Sequence, residues 1–263
     1  MTRRKARFLL YLHHMNTSNL IFLDTETTGN QPDDRLCQLA WKYLGQSYDE
    51  MFDQLYNPGL PIAIEAMAVH HITEKMIEGK PLFKESDDYA KTKELLENEE
   101  NILVAHNAPF DVDMMQRDGI NPVNAIDTLK LVRHFDPEMN IKRHNMQYLR
   151  YLLKLDEDIT EPIQAHDAKG DVIILELLFN RLYEKTKTQF GLEAEDDILK
   201  KMIELSQQPA TIGKFAFGKH MGKKVSDVAK EDPGYLQWLL AQKRQSDDDE
   251  TDWIYTLEQA LGL

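Results

Sequence analysis

Four carboxylates and one imidazole stand in three short, widely separated segments. They are Asp24 and Glu26 in IFLDTETTG, Asp111 in LVAHNAPFD, and His166 with Asp171 in AHDAKGD. Carboxylate oxygens are the ligands that hard divalent cations such as Mg²⁺ prefer. An imidazole with an unperturbed pKa of about 6.5 can take a proton from water near neutral pH. Four ionised carboxylates balance two divalent ions. Such a pair, about 3.5–4 Å apart, activates a water and stabilises charge on the leaving oxygen of a phosphodiester. Brought together, the five residues would make a site that cuts phosphodiesters.

Taken singly, each segment has a plainer reading. Asp24 and Glu26 are two apart on a strand and share a face, yet two solvated acids can end any strand. Thr25, Thr27, Thr28 and Gly29 add small side chains that let a substrate backbone approach. In HNAPFD, Pro109 suits a first helical turn. Asp111 would then sit near a helix N-terminus, where a carboxylate also stabilises the dipole while His106 and Asn107 cap the helix. In HDAKGD, Asp171 opens a long amphipathic helix and His166 stands on its entry. Asp167 competes as a ligand, but it lies beside His166 rather than one turn into the helix.

The elements that must position these residues follow from pattern. Asn19–Thr25, Leu36–Leu44 and Met51–Tyr56 read as three successive strands, with turns at Asn30–Asp34 and Gly45–Asp49. Ser86–Asn98 reads as a polar helix, Asn101–Ala105 as a short strand and Asp111–Asp118 as a helix ended by Gly119. Ile126 and then Thr128–Phe135 repeat the strand-to-helix step, and His144–Leu155 has helical spacing. Asp171–Lys185 is the best helix, with Val172, Leu175, Leu178, Phe179 and Leu182 on its apolar face. Three strands followed by alternating strand and helix imply an α/β layer domain with a mixed sheet. Lys185–Asp197 is polar and linker-like, and Asp196–Gln208 reads as a further helix. The chain then changes character. KFAFGKHMGKK has four lysines and no acid. A final amphipathic helix runs through Trp253, Leu257 and Leu261, with Tyr235 and Trp238 read as core of this small module.

Composition bounds the rest. The 263 residues allow one sizeable core plus a small module. A net charge of −14 excludes binding of duplex DNA through a broad basic surface. The single cysteine, Cys37, excludes internal disulfides and implies a reducing, cytoplasmic compartment. No apolar run approaches the roughly 18 residues of a membrane span. MTRRKARFLLYLHHM reads as an extension, and Met15 is an alternative start to Met1.

The ordered set DxE, HNAxFD and HxAxxD resembles the DEDDh branch of the DnaQ-like 3′→5′ exonuclease family, over residues 19–185. The resemblance implies a ribonuclease-H-like fold with a five-stranded mixed sheet flanked by helices. It implies metal binding by Asp24, Glu26, Asp111 and Asp171, and a general-base role for His166. PIAIEAMAVHHIT (61–73) resembles the segment that surrounds the substrate's 3′ end in this family. Val69, His70 and Phe110 would wall the terminal nucleotide, and Thr25, Thr27, His106 and Asn107 would complete the substrate site. GKFAFGKHMGKKVSDVAKEDPGYLQWLL resembles the C-terminal region of the exodeoxyribonuclease X branch. The implied organisation is an extension (1–18), an exonuclease domain (19–185), a linker with a helix (186–210) and a C-terminal module (211–263). The implied activity is metal-dependent release of 5′-mononucleotides from the 3′ end of DNA, single-stranded or at a duplex end, in repair or end processing. Two Mg²⁺ ions would be the cofactor, with Mn²⁺ substituting. A polymerase or repair protein is a possible partner, and a membrane is not. Two other readings stay open: an exonuclease of RNA or oligoribonucleotide ends, and a non-catalytic scaffold that recruits a polymerase or repair partner.

Overall fold

The computed structural model describes residues 20–159, 163, 167–246 and 250–263. The expected extension at residues 1–18, His166 and residues 247–249 lie outside them. Contacts divide the chain into two compact units. One runs to Thr128 and includes Asn145–Ile203; the other comprises Leu129–His144 and Glu204–Leu263.

The first unit is built on a five-stranded sheet. Its strands are β1 (Leu20–Thr27), β2 (Leu36–Tyr43), β3 (Phe52–Leu55), β4 (Ile102–Ala105) and β5 (Ala125–Asp127), in the order β3-β2-β1-β4-β5. β1 pairs antiparallel with β2 and parallel with β4; β4 pairs parallel with β5. The sheet is therefore mixed, as the sequence pattern implies. The continuous apolar runs of β1 and β4 occupy the centre, where both faces are covered. The polar β3, with Asp53 and Gln54, takes an edge.

Between β3 and β4 lie α1 (Ile64–His70), α2 (Glu74–Ile77) and α3 (Asp88–Glu97). Then come α4 (Ala108–Arg117), α5 (Thr128–Phe135), α6 (Met146–Leu152) and α7 (Ala168–Phe190). The two faces of β1 serve different layers. Phe22 meets Phe179 of α7 edge-on, with ring centroids 5.3 Å apart. On the other face Ile21 and Leu23 join Leu95 and Leu96 of α3 and Met115 of α4 in one core. Val172, Leu175, Leu178, Phe179 and Leu182 of α7 are all buried. At about 2 kcal/mol each they contribute on the order of 10 kcal/mol before chain entropy is subtracted.

The boundaries of the two site-bearing helices differ from the sequence reading. α4 starts at Ala108, three residues before the expected Asp111, which lies in its first turn, and α7 starts at Ala168, three residues before Asp171. α7 continues past Lys185 to Phe190 and ends at Gly191, whose φ of 64° forms a left-handed cap. Thr186 extends its buried stripe, and its hydroxyl donates to the Leu182 carbonyl. The polar composition there marks a solvated helix face, not a break.

The second unit holds α9 (Val225–Glu231), α10 (Pro233–Lys243) and α11 (Thr251–Leu261); α8 (Glu195–Gln207) precedes them. Phe215, Val225, Val228, Leu236, Leu239, Leu240 and Leu257 form its core, flanked by Tyr235 and Trp253. Asp232 caps α10 by accepting from the Tyr235 amide, ahead of Pro233 in the first turn. Lys214 and Lys224 form an antiparallel bridge closing the lysine-rich turn. Trp238 departs from the expectation: it is 55% exposed, while Tyr235 packs on the core. Among the described residues no helix is long and apolar enough to cross a membrane.

Candidate metal centre

Asp24 and Glu26 occupy the C-terminal end of β1, on the face that meets α7. A bulge in the β1–β2 pairing falls between Glu26 and Thr27, which re-aims the strand end as bulges beside functional sites do. α7 delivers Asp171 to the same place. One oxygen from each of Asp24, Glu26 and Asp171 lies within 4.8 Å of the other two. Asp111 arrives from the opposite face, on α4. Its Oδ1 accepts a 2.7 Å hydrogen bond from the Thr25 hydroxyl. Its charge acts on both Asp24 and Glu26.

Asp111 and Asp171 are placed by one device. Each is the fourth residue of its helix, four beyond the capping residue Asn107 or Asp167. There the partial positive charge of the helix N-terminus faces a carboxylate. Asn107 takes a left-handed conformation, φ 72°, which asparagine tolerates better than most residues. Its amide donates to Oδ1 of Asp127 at the end of β5. The Asn107 side chain makes no capping hydrogen bond. Asp167 does not join the three converging carboxylates; the Gln38 amide holds its Oδ1 at 3.1 Å.

The electrostatics are those of a site short of positive charge. Burial, then Asp111, Asp171 and Glu26, hold the Asp24 carboxyl well above the usual range. Burial, then Asp171 and Asp111, push Glu26 up to about 9. Burial pushes Asp111 up to about 7 against the opposing Thr25 hydrogen bond. At 4.8 Å two ionised carboxylates repel by on the order of 3 kcal/mol at an effective dielectric of 20. Among the described residues no lysine or arginine pairs with Asp24, Glu26 or Asp111 to relieve this. An all-oxygen, anionic donor set fits a hard divalent metal.

Other sequence candidates surround the cluster as supports. α1 docks on the end of β1 through Ala63 N–H to Thr28 O, 3.0 Å, and His70 to Thr27 O, 3.1 Å. The other His70 ring nitrogen, Nδ1, accepts from Ile72 N–H. Both nitrogens are thus committed, and burial lowers the histidine's pKa. His106 Nδ1 pairs with the Thr128 hydroxyl, and the Thr27 hydroxyl donates to Gly29 O. Val69 stays 48% exposed on α1.

Sequence reading missed three residues. Gln147 on α6 donates to Asp171 Oδ1 at 2.6 Å. Gln38 pairs with Glu26 across the strands; its amide donates to Asp53 and Asp167, and its oxygen accepts from Ala168 N–H. Asp127 ends β5 much as Asp24 ends β1, a signal that could have flagged it. Gln38 and Gln147 carry no comparable signal, because strand register and helix packing decide what they touch.

Residues 21–179 match the family described as exonuclease, and residues 215–244 match the exodeoxyribonuclease X-like C-terminal family. The chain belongs to the exonuclease family. This exonuclease is 33% identical to exodeoxyribonuclease 10 of Escherichia coli strain K12 over 223 residues, spanning 84% of its own length and 90% of that protein's. It is 34% identical to a DNA polymerase III subunit epsilon-like protein of Rhodobacter capsulatus, covering 65% of its own chain but 25% of that one. Among solved structures, exonuclease X in complex with 5′-overhanging duplex DNA superposes with a TM-score of 0.50 at 25% identity. That match covers 71% of this exonuclease and 99% of the other chain.

Proposed function

We propose that this exonuclease hydrolyses DNA from a free 3′ end and releases 5′-mononucleotides, using two Mg²⁺ ions for which Mn²⁺ can substitute. The observation that carries the reading is the convergence of Asp24, Glu26 and Asp171 within 4.8 Å, with Asp111 acting on two of them. When bound, such ions stabilise charge on the phosphoryl group and on the leaving 3′ oxygen. Asp24, Glu26, Asp111 and Asp171 hold them. Thr25 and Gln147 orient two of those carboxylates. His166 takes the proton of the attacking water at a ring nitrogen, a role typically worth about 10²–10⁴ in rate.

His70, His106, Thr25 and Thr27 serve the substrate site as braces, since their polar atoms are committed to the protein. Val69, Asn107 and Phe110 retain surface for the terminal nucleotide. DNA rather than RNA is favoured by the relatives: one is named an exodeoxyribonuclease, and another is titled as a complex with duplex DNA. A polymerase or repair partner, and a cytoplasmic setting for a chain whose one cysteine is buried and free, complete the proposal.

End-labelled DNA tests it. Wild type with Mg²⁺ is expected to shorten the strand from its 3′ end, and chelator or Asp24→Ala to stop it. Equal degradation by Asp24→Ala and wild type would sink the reading. Faster loss of matched RNA 3′ ends would keep the chemistry and change the substrate.

A further inference from the structure

Trp238 stands 55% exposed on α10, with its ring centroid 5.5 Å from that of Tyr235. The Lys219 ammonium lies 4.9 Å from the centre of the Tyr235 ring. The turn that carries Lys219 is fitted to the same tyrosine. Gly218 has a φ of 70°, and a Cβ there would come within 2.8 Å of the Tyr235 hydroxyl oxygen. The lysine turn and the YLQW helix therefore form one built surface. Phe217 and Met221 of that turn are also exposed, at 38% and 71%.

Charge says what this surface suits. Residues 213–244 carry seven lysines and arginines against three acids; acids outside the segment pair with three of these cations, Glu138 with Lys224, Glu250 with Lys243 and Glu258 with Arg244. Lys219 is held by Asp232 at 2.7 Å and Lys223 by Glu231 at 2.6 Å. Such water-screened pairs are weakly held, so phosphate oxygens can replace the carboxylates. An exposed indole beside a tyrosine ring that carries the Lys219 ammonium matches a nucleobase next to a phosphate. Stacking of this kind tolerates any base. A protein contact would instead favour an anchor set among uncharged neighbours.

We propose that this face of the second unit grips single-stranded nucleic acid, with Trp238 stacking a base and Lys219 meeting an adjacent phosphate. The proposal rests on the reading of the chain as a DNA exonuclease and adds a second point of hold on the strand.

The test uses the full chain in chelator, where no strand is cut, and a fluorescein-labelled oligothymidylate followed by anisotropy. Trp238→Ala is expected to weaken binding by about tenfold or more, the range stacking supplies. Trp238→Phe should keep most of the affinity. Lys219→Gln should reduce the dependence on salt by about one phosphate contact. The oligomer should quench wild-type tryptophan fluorescence, and Trp238→Phe should lose that quenching. Unchanged affinity in Trp238→Ala, or unchanged quenching in Trp238→Phe, would overturn the proposal and leave the indole to a protein contact. Hydrolysis of thymidine 5′-(p-nitrophenyl phosphate) by wild type with Mg²⁺ tests the active site alone. Failure there with oligomer binding intact sinks the nuclease reading and not the grip.

Discussion

An amide holds one oxygen of Asp171. Gln147 donates to it at 2.6 Å, while the other end of that amide, Oε1, is buried without a protein partner. An amide orients a carboxylate without neutralising it, so the charge would stay available for a metal ion. Gln147→Leu is expected to raise the Mg²⁺ concentration for half-maximal activity by about 10–100-fold, the usual effect of losing a residue that orients a ligand. An unchanged Mg²⁺ titration would refute this role. The raised carboxylates make a second prediction. Their folded pKa values exceed the unfolded ones, so the folded state binds more protons than the unfolded state. Stability then falls as pH rises. For Glu26 the window runs from about 4.5, its ordinary value, to about 9; for Asp111 it runs to about 7. In chelator the melting temperature of wild type should fall from pH 5 to pH 8 relative to Glu26→Gln, and Mg²⁺ should shrink the difference. At this scale the sequence carried the identity of the carboxylates, because residue type and motif spacing are local. It did not carry Gln147, whose partner lies on another helix.

Secondary elements were legible where one face is apolar and the period clear. All five strands and the inward stripe of α7 fall where pattern puts them. The ends were not. Whether a polar stretch such as 185–190 stays helical depends on a stripe only as wide as Thr186 and on a glycine cap beyond it. Register was invisible too, and register makes Gln38 matter. Lying opposite Glu26, its side chain ties the edge strand β3 through Asp53, 2.8 Å, to the start of α7 through Asp167 and Ala168. The helix that delivers Asp171 is thus referenced to the strands that deliver Glu26. Gln38→Leu leaves two carboxylates and an amide short of a partner. It should cost about 1–3 kcal/mol and several degrees of melting temperature, and lower kcat more than it raises KM. A variant that melts like wild type and keeps its kcat would show that α7 is placed by packing alone.

The whole molecule is less modular than its sequence suggests. The composition shift near Thr211 looks like a boundary, yet the unit holding the C-terminal helices also includes Leu129–His144. The ties between those segments are polar and buried. Asp252 of α11 pairs with Lys130 at 2.6 Å and with Arg133 at 2.6 Å, and its Oδ1 also accepts from the Ala210 amide at 2.8 Å. No pattern in a linear sequence joins residue 130 to residue 252, because contact order leaves no local trace. Within Glu204–Leu263, Thr256 adds a tie of the same kind as Asp252 with Ala210, accepting from Ile212 N–H. Lys130 and Asp252 are both nearly inaccessible to water, so removing Asp252 leaves Lys130 as an uncompensated buried charge. That defect costs about 3–5 kcal/mol, whereas replacing both partners by apolar residues of similar volume is often close to neutral. Asp252→Ala should therefore melt well below wild type, and Lys130→Met with Asp252→Leu should recover much of the loss. A chain ending at Gln208 deletes Asp252 altogether and strands Lys130 in the same way. Its loss of DNA binding would then reflect a broken core as well as missing lysines, which is why point changes at Trp238 and Lys219 are the cleaner probe. If Asp252→Ala and the shortened chain both melt like wild type, the unit does not depend on this closure.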